Sequence, residues 1–292
     1  SFDVKNQVIA EQIPLAIRRF GLNKIGESAN SPTILEIRDR LNPHLLSLGI
    51  LPFDRPFRRI SVDPKNLLSS ARFDIVPKFM YAKYRSFGID SLWAKEVYEA
   101  HIRAFNGCEE SDGSGKSGIS SFVAAYDKLL ESIRNVGFDP NCSLVPCDRS
   151  GVIIDGAHRV AACMFYNKKI DTVAFDMEGN CYNYEFFQNE GLTPQYCDAV
   201  AIEYCRLNSQ SYIVTVFPSA IGKEPEIREI LNQNGEIFYT RQVELTTLGS
   251  INLVRQMYEG ESWVGNYDNK FEGARSKAAE CFRTAGPLRV YV

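Results

Sequence analysis

The most constraining stretch of the chain is Gly151 to Ala162, read GVIIDGAHRVAA. Val152-Ile153-Ile154 is a short apolar run of the kind that forms a buried β-strand. It meets Asp155-Gly156, a turn dipeptide. Val160 to Phe165 then reads as the first turns of a packed helix. Gly156 lets backbone come close to a ligand. The first N–H groups of a helix have no internal partners, and with the helix dipole they favour an anion. Arg159 adds a guanidinium able to hold phosphate through two hydrogen bonds. The same residues admit a plainer reading, in which Asp155 caps the helix and Arg159 pairs with a surface carboxylate.

The 292 residues suffice for a sizeable core and suggest two domains with an extra arm. A net charge of −3 gives no global electrostatic case for a nucleic-acid partner. No apolar run reaches the length of a membrane span, so none is expected. The eight cysteines form no C-x-x-C pair, and His44, His101 and His158 stand far apart. A structural zinc site is therefore not expected. Reduced thiols and a cytoplasmic location are the default for such a chain.

Residues 1–55 read as a helical arm, with apolar spacing over Ile13 to Phe20 and Ile34 to Leu51 broken by prolines. Arg58 to Leu68 reads as a strand with a turn at Asp63-Pro64. A helix is expected from Pro77 and another from Ser91 to Phe105. His44 and His101 are read as structural. Cys108 to Ser121 is a Gly- and Ser-rich loop. Its string Gly113-Ser114-Gly115-Lys116-Ser117 resembles a phosphate-binding loop, but Glu110 stands where that motif needs its first Gly, and no strand precedes it. Residues 122–136 form an amphipathic helix closed by Gly137. A short strand over Ser143 to Pro146, a hairpin turn at Asp148 to Gly151 and a strand over Ile170 to Phe175 complete this block.

Together these pieces resemble the ParB/sulfiredoxin-like fold. They are RRISVD, SARFDI, LLESIRNVGF, SLVPCDRSGVIIDGAHRVAAC and KIDTVAF, over about residues 58–176. Sulfiredoxins carry a reactive Cys just before the His-Arg pair. Here that position is Ala157, so sulfinic-acid reduction is not expected. ParB partition proteins bind CTP and add a helix-turn-helix, for which no basic recognition helix is seen. The Asp-Gly-x-His-Arg turn is most similar to the free-serine kinase branch. The resemblance implies that Gly156, Ala157, His158 and Arg159 hold the phosphates of ATP (or ADP), and that Asp155 binds Mg²⁺ or orients the turn. Asp74 is the candidate base, with Arg72 and Lys78 stabilising charge, and Asp74, Asp155 and His158 are the candidate catalytic residues. No glutamate of this chain aligns with that branch's catalytic one.

The expected fold class is α/β (α+β). A helical arm (1–55) leads to a ParB/sulfiredoxin-like domain (56–185) with a helical insertion at about 79–120. A ferredoxin-like α/β sandwich (186–292) follows, after a turn-rich connector at about 177–208. In that last part, strands are read at Ser211 to Phe217, Glu236 to Leu245 and Leu288 to Val292, and helices at Pro225 to Asn234 and Leu248 to Tyr258. Trp263, Gly265, Lys270 and Lys277 either line a pocket or are ordinary surface and core residues. The expected activity is phosphate transfer from a nucleotide to a hydroxyl of a small polar acceptor, such as a sugar or amino acid derivative. The alternative is a nucleotide-binding switch or scaffold with little turnover.

Overall fold

The computed structural model describes residues 31–55, 57–86, 92–110, 115–216, 222–243 and 288–292. The helices read at Ile13 to Phe20 and Leu248 to Tyr258, and Trp263, Gly265, Lys270 and Lys277, lie outside the described residues. The chain mixes helix and sheet. It divides into two units, residues 1–210 with 234–238, and residues 211–233 with 239–292. The second unit thus opens at Ser211, whereas the sequence reading opened its last domain at 186.

In the first unit the order is α1 (Ser31–Arg38), α2 (Pro43–Ser47), β1 (Phe57–Val62), α3 (Ile75–Ser86), α4 (Leu92–Asn106) and α5 (Ile119–Asn135). Then come β2 (Val145–Cys147), α6 (Ala157–Phe165), β3 (Ile170–Phe175), α7 (Tyr184–Asn189) and α8 (Pro194–Leu207). The sheet runs β1-β3-β2, with β1 antiparallel and β2 parallel to β3. Central β3 is largely apolar, and Val173, Ala174 and Phe175 are buried there. Ile37, Leu41, Leu45 and Leu51 pack with Leu144, Val173 and Phe175. Helix α3 packs along α6 and also against α4 and α8.

Two local expectations need correction. Val152-Ile153-Ile154 is not a strand; only Ile153 bridges back to Cys147. The Asp148 carboxylate gathers the N–H groups of Ser150, Val152 and Gly179, which curls the chain tightly after β2. The Ile153 carbonyl accepts from Arg72 Nη1 at 2.7 Å rather than from a neighbouring strand. The turn-rich connector is also mostly helical. Asn183 caps α7 by accepting from the Phe186 N–H at 3.0 Å, and Pro194 opens α8 after Thr193. Residues that read as turns are caps.

In the second unit, β4 (Val214–Val216), α9 (Glu224–Asn234), β5 (Thr240–Val243) and β6 (Leu288–Tyr291) are described. The strands form an antiparallel sheet in the order β4-β6-β5, with β6 in the middle.

Candidate functional site

The turn from Ile154 to Arg159 opens onto a cavity of about 720 Å³ within the first unit. Arg72, Asp74, Lys78, Asp155, Gly156, Ala157, His158 and Arg159 all line it, so the structure brings every expected site residue to one place. Inserted helix α4, helix α5 and the α1–α2 corner supply the other walls, through residues such as Ile102, Phe105, Phe122, Leu129, Leu41 and Leu45.

Gly156 is the N-cap of α6 in the left-handed region, with φ of 96°. The positive φ demands glycine, and a Cβ there would lie 2.7 Å from Arg159 Nη2, so any side chain would push the guanidinium aside. No side chain caps the helix. Val160 makes the first intrahelical bond, to the Gly156 carbonyl at 3.0 Å, and the amides of Ala157, His158 and Arg159 precede it. The Arg159 guanidinium lies over the turn. Its Nη2 donates to Asp155 Oδ2 at 2.9 Å, and its Nη1 donates to the Leu144 carbonyl at 3.1 Å and to the Ser143 hydroxyl. Three bonds leave two of its five donors for a ligand.

The same cavity wall carries a buried ionic triad, joined to the turn by the Arg72–Ile153 bond. Arg72 holds Asp74 in two bonds of 2.8 Å, and Lys78 Nζ donates to Asp74 Oδ2 at 2.8 Å and to its carbonyl at 3.2 Å. All three side chains are at most 4% exposed. Burial alone would raise the Asp74 carboxyl, but Arg72 and then Lys78 override it and hold the group far below the carboxylate range. The general-base role expected of Asp74 does not fit this geometry. Both oxygens are occupied, and the carboxylate is too acidic to take a proton near neutral pH. Burial pulls the Lys78 pKa down, opposed by Asp74. Two cations share one carboxylate, so the triad carries one net positive charge at the cavity wall.

The cavity also takes lining groups that the sequence reading did not assign to the site. Glu110 and Lys116 pair at 3.0 Å, and Arg40 lines the cavity while bonded to Glu36. Among the described residues, five cationic and three acidic side chains line the cavity of a chain whose net charge is −3. Lys116 belongs to the rejected Gly-rich string, yet it reaches the site from a loop closed by Gly118, the left-handed N-cap of α5. His158 is half-buried, and its Nε2 lies 3.0 Å from the Tyr98 hydroxyl. Desolvation, then Lys78, His101 and Lys116, press its pKa well below the usual value, so the ring is neutral at pH 7. Tyr98 falls within the helix expected from Ser91 to Phe105, where its hydroxyl gave no separate signal.

Burial pushes the Cys163 thiol up to about 12 and Cys147 higher, which removes both as thiolate nucleophiles. Among the described residues no group of three or more His, Cys, Asp or Glu is placed to hold a metal ion. Asp155, its side chain 35% exposed with one oxygen on Arg159, fits as a single carboxylate ligand of a cation carried by phosphates. Among the described residues no helix is long and apolar enough to cross a membrane. Comparison with protein-family models, curated proteins and solved structures found no match to this chain.

Proposed function

We propose that the protein is a nucleotide-dependent phosphotransferase that moves phosphate from ATP, or from ADP, to a hydroxyl of a small polar acceptor such as a sugar or amino acid derivative. The observation that carries this reading is the pairing of two cationic features on one cavity: the uncapped start of α6 with Arg159, and the net-positive Arg72–Asp74–Lys78 triad. Amides aimed at one phosphate and a fixed ammonium near another suit charge that moves between oxygens during transfer. Arg72 positions the triad and the Ile153 carbonyl. Lys78 keeps one of its three donors for a phosphoryl oxygen. A Mg²⁺ brought by the nucleotide would neutralise phosphate charge, with Asp155 as its protein ligand.

With Asp74 locked, Glu110 is the carboxylate for the acceptor proton. Its Oε2 pairs with Lys116, which leaves Oε1 for the acceptor hydroxyl. The proton passes to Glu110 as the acceptor oxygen bonds to the terminal phosphorus and the phosphorus–oxygen bond to the departing nucleotide breaks. The test follows γ-labelled ATP with Mg²⁺ against panels of sugars and amino acid derivatives. Label is expected on one acceptor class, and Glu110→Gln should slow transfer by about 10²–10⁴ with nucleotide affinity nearly unchanged. A second reading has one observation behind it: each carboxylate that lines the cavity among the described residues is already ion-paired. Nucleotide binding with no transfer to any acceptor would favour that reading, a nucleotide-binding switch or scaffold.

A further inference from the structure

We propose that Tyr98 locks His158 in the Nδ1–H tautomer, making it a neutral hydrogen-bond donor to a phosphoryl oxygen rather than a proton acceptor. The role given to the oxygen rests on the reading of the Gly156–Arg159 turn as a phosphate site; the tautomer itself does not.

Tyr98 lies on α4, inside the insertion, and is 0% exposed. It stands in a cluster with Tyr81 and Tyr126, with ring centroids 4.7 and 5.6 Å away. The His158 ring meets Tyr126 edge-on at 4.7 Å. The three hydroxyls have different partners. Tyr81 donates to Asp127 Oδ1 at 2.8 Å, and Tyr126 donates to the Lys78 carbonyl at 3.0 Å. The bond of the Tyr98 hydroxyl is to His158 Nε2, at 3.0 Å.

A phenol hydroxyl carries one proton, and a neutral imidazole carries one on either nitrogen. If Tyr98 donates, Nε2 is the bare nitrogen, Nδ1 holds the proton and both groups are satisfied. If Nε2–H donated instead, the phenolic proton would be left buried without an acceptor, which is costly. Burial raises the Tyr98 phenol far above its ordinary value, so it stays a donor. Desolvation and the surrounding cations keep the imidazole from charging. Nδ1–H is then the group that His158 offers to the cavity it lines. It adds to the amides of α6, which also only donate, whereas a bare nitrogen there would repel a phosphoryl oxygen. The inserted helix thereby sets the chemistry of the turn as well as walling the cavity.

The experiment is ¹⁵N NMR of the imidazole nitrogens in the full chain without nucleotide at neutral pH. Only three histidines are present, and His158→Gln assigns the signal. The wild type is expected to show a protonated Nδ1 and a bare Nε2 at His158. Tyr98→Phe should move the proton toward Nε2 and weaken ADP binding by about 3- to 10-fold, the scale of one neutral hydrogen bond. A wild-type His158 protonated at Nε2, or an imidazolium, would overturn the proposal. So would a folded Tyr98→Phe chain with an unchanged tautomer. If Tyr98→Phe fails to fold, the wild-type tautomer alone decides. The spectrum stands whether or not phosphate transfer is found, so failure of the lock and failure of the phosphotransferase reading are separable.

Discussion

Asp74 holds two cations at once, and that single fact redistributes the roles at the site. Asp74 and Lys78 stand four apart across the start of α3, and the bidentate fork of Arg72 fills the rest of the carboxylate. The sequence placed the three residues together, but it could not show both carboxylate oxygens filled, because that depends on the chain bend before α3. His101 is the other residue whose burial governs its behaviour. It is 0% exposed, and neither ring nitrogen has a hydrogen-bond partner of good geometry, although the Tyr98 and Val97 carbonyls lie near. Burial, then Lys78, holds its pKa well below the ordinary value. The unfolded chain therefore takes up a proton near pH 6.5 that the folded chain refuses. Stability from this group is complete above about pH 6.5 and is lost as pH falls toward the folded value. His158 acts in the same direction. The unfolding free energy from urea titration should drop between about pH 7.5 and about pH 5.5, by up to about 1.4 kcal/mol per pH unit for each group. His101→Phe should flatten that slope; a variant with the full wild-type slope would contradict the assignment.

At the scale of elements, long periodic stretches were the legible ones. α4 and α5 fall close to where apolar spacing put them, and β3 and α9 close to where they were read. The start of α6 was legible too, because Asp-Gly before an Ala-rich run leaves few alternatives. α7 and α8 were not, since Asn183, Gly191 and Pro194 serve equally as turn formers and as helix boundaries. The run before the central turn misled because it pairs with β2 through a single bridge, and its Ile153 carbonyl turns to the Arg72 guanidinium of a distant segment. The turn itself makes the sharpest forecast. Gly156→Ala puts a side chain in the left-handed region, at about 1–2 kcal/mol, and pushes its Cβ against the Arg159 guanidinium. Urea unfolding should show that loss, and calorimetry should show weaker ADP binding as Arg159 is displaced. A variant with unchanged stability and affinity would mean that the turn tolerates another shape.

For the whole molecule, the order of elements read along the chain gave a mixed helix-and-sheet protein, as observed, and among the described residues no helix is long and apolar enough to cross a membrane. Where the second unit begins was not legible, because the helical character of residues 184–207 is masked by its capping residues. The charge balance conceals the central feature: a chain of net charge −3 gathers a positive surplus on one cavity. That the surplus serves a phosphate chain is the main claim, and calorimetric titration of ATP into the wild type and Arg159→Ala tests it most directly. The wild type is expected to bind, and the folded variant to bind more weakly by about 1.5–3 kcal/mol, roughly 10- to 150-fold, the scale of a charge-assisted hydrogen bond. A wild type that binds no nucleotide, or a folded variant with undiminished affinity, would contradict the account.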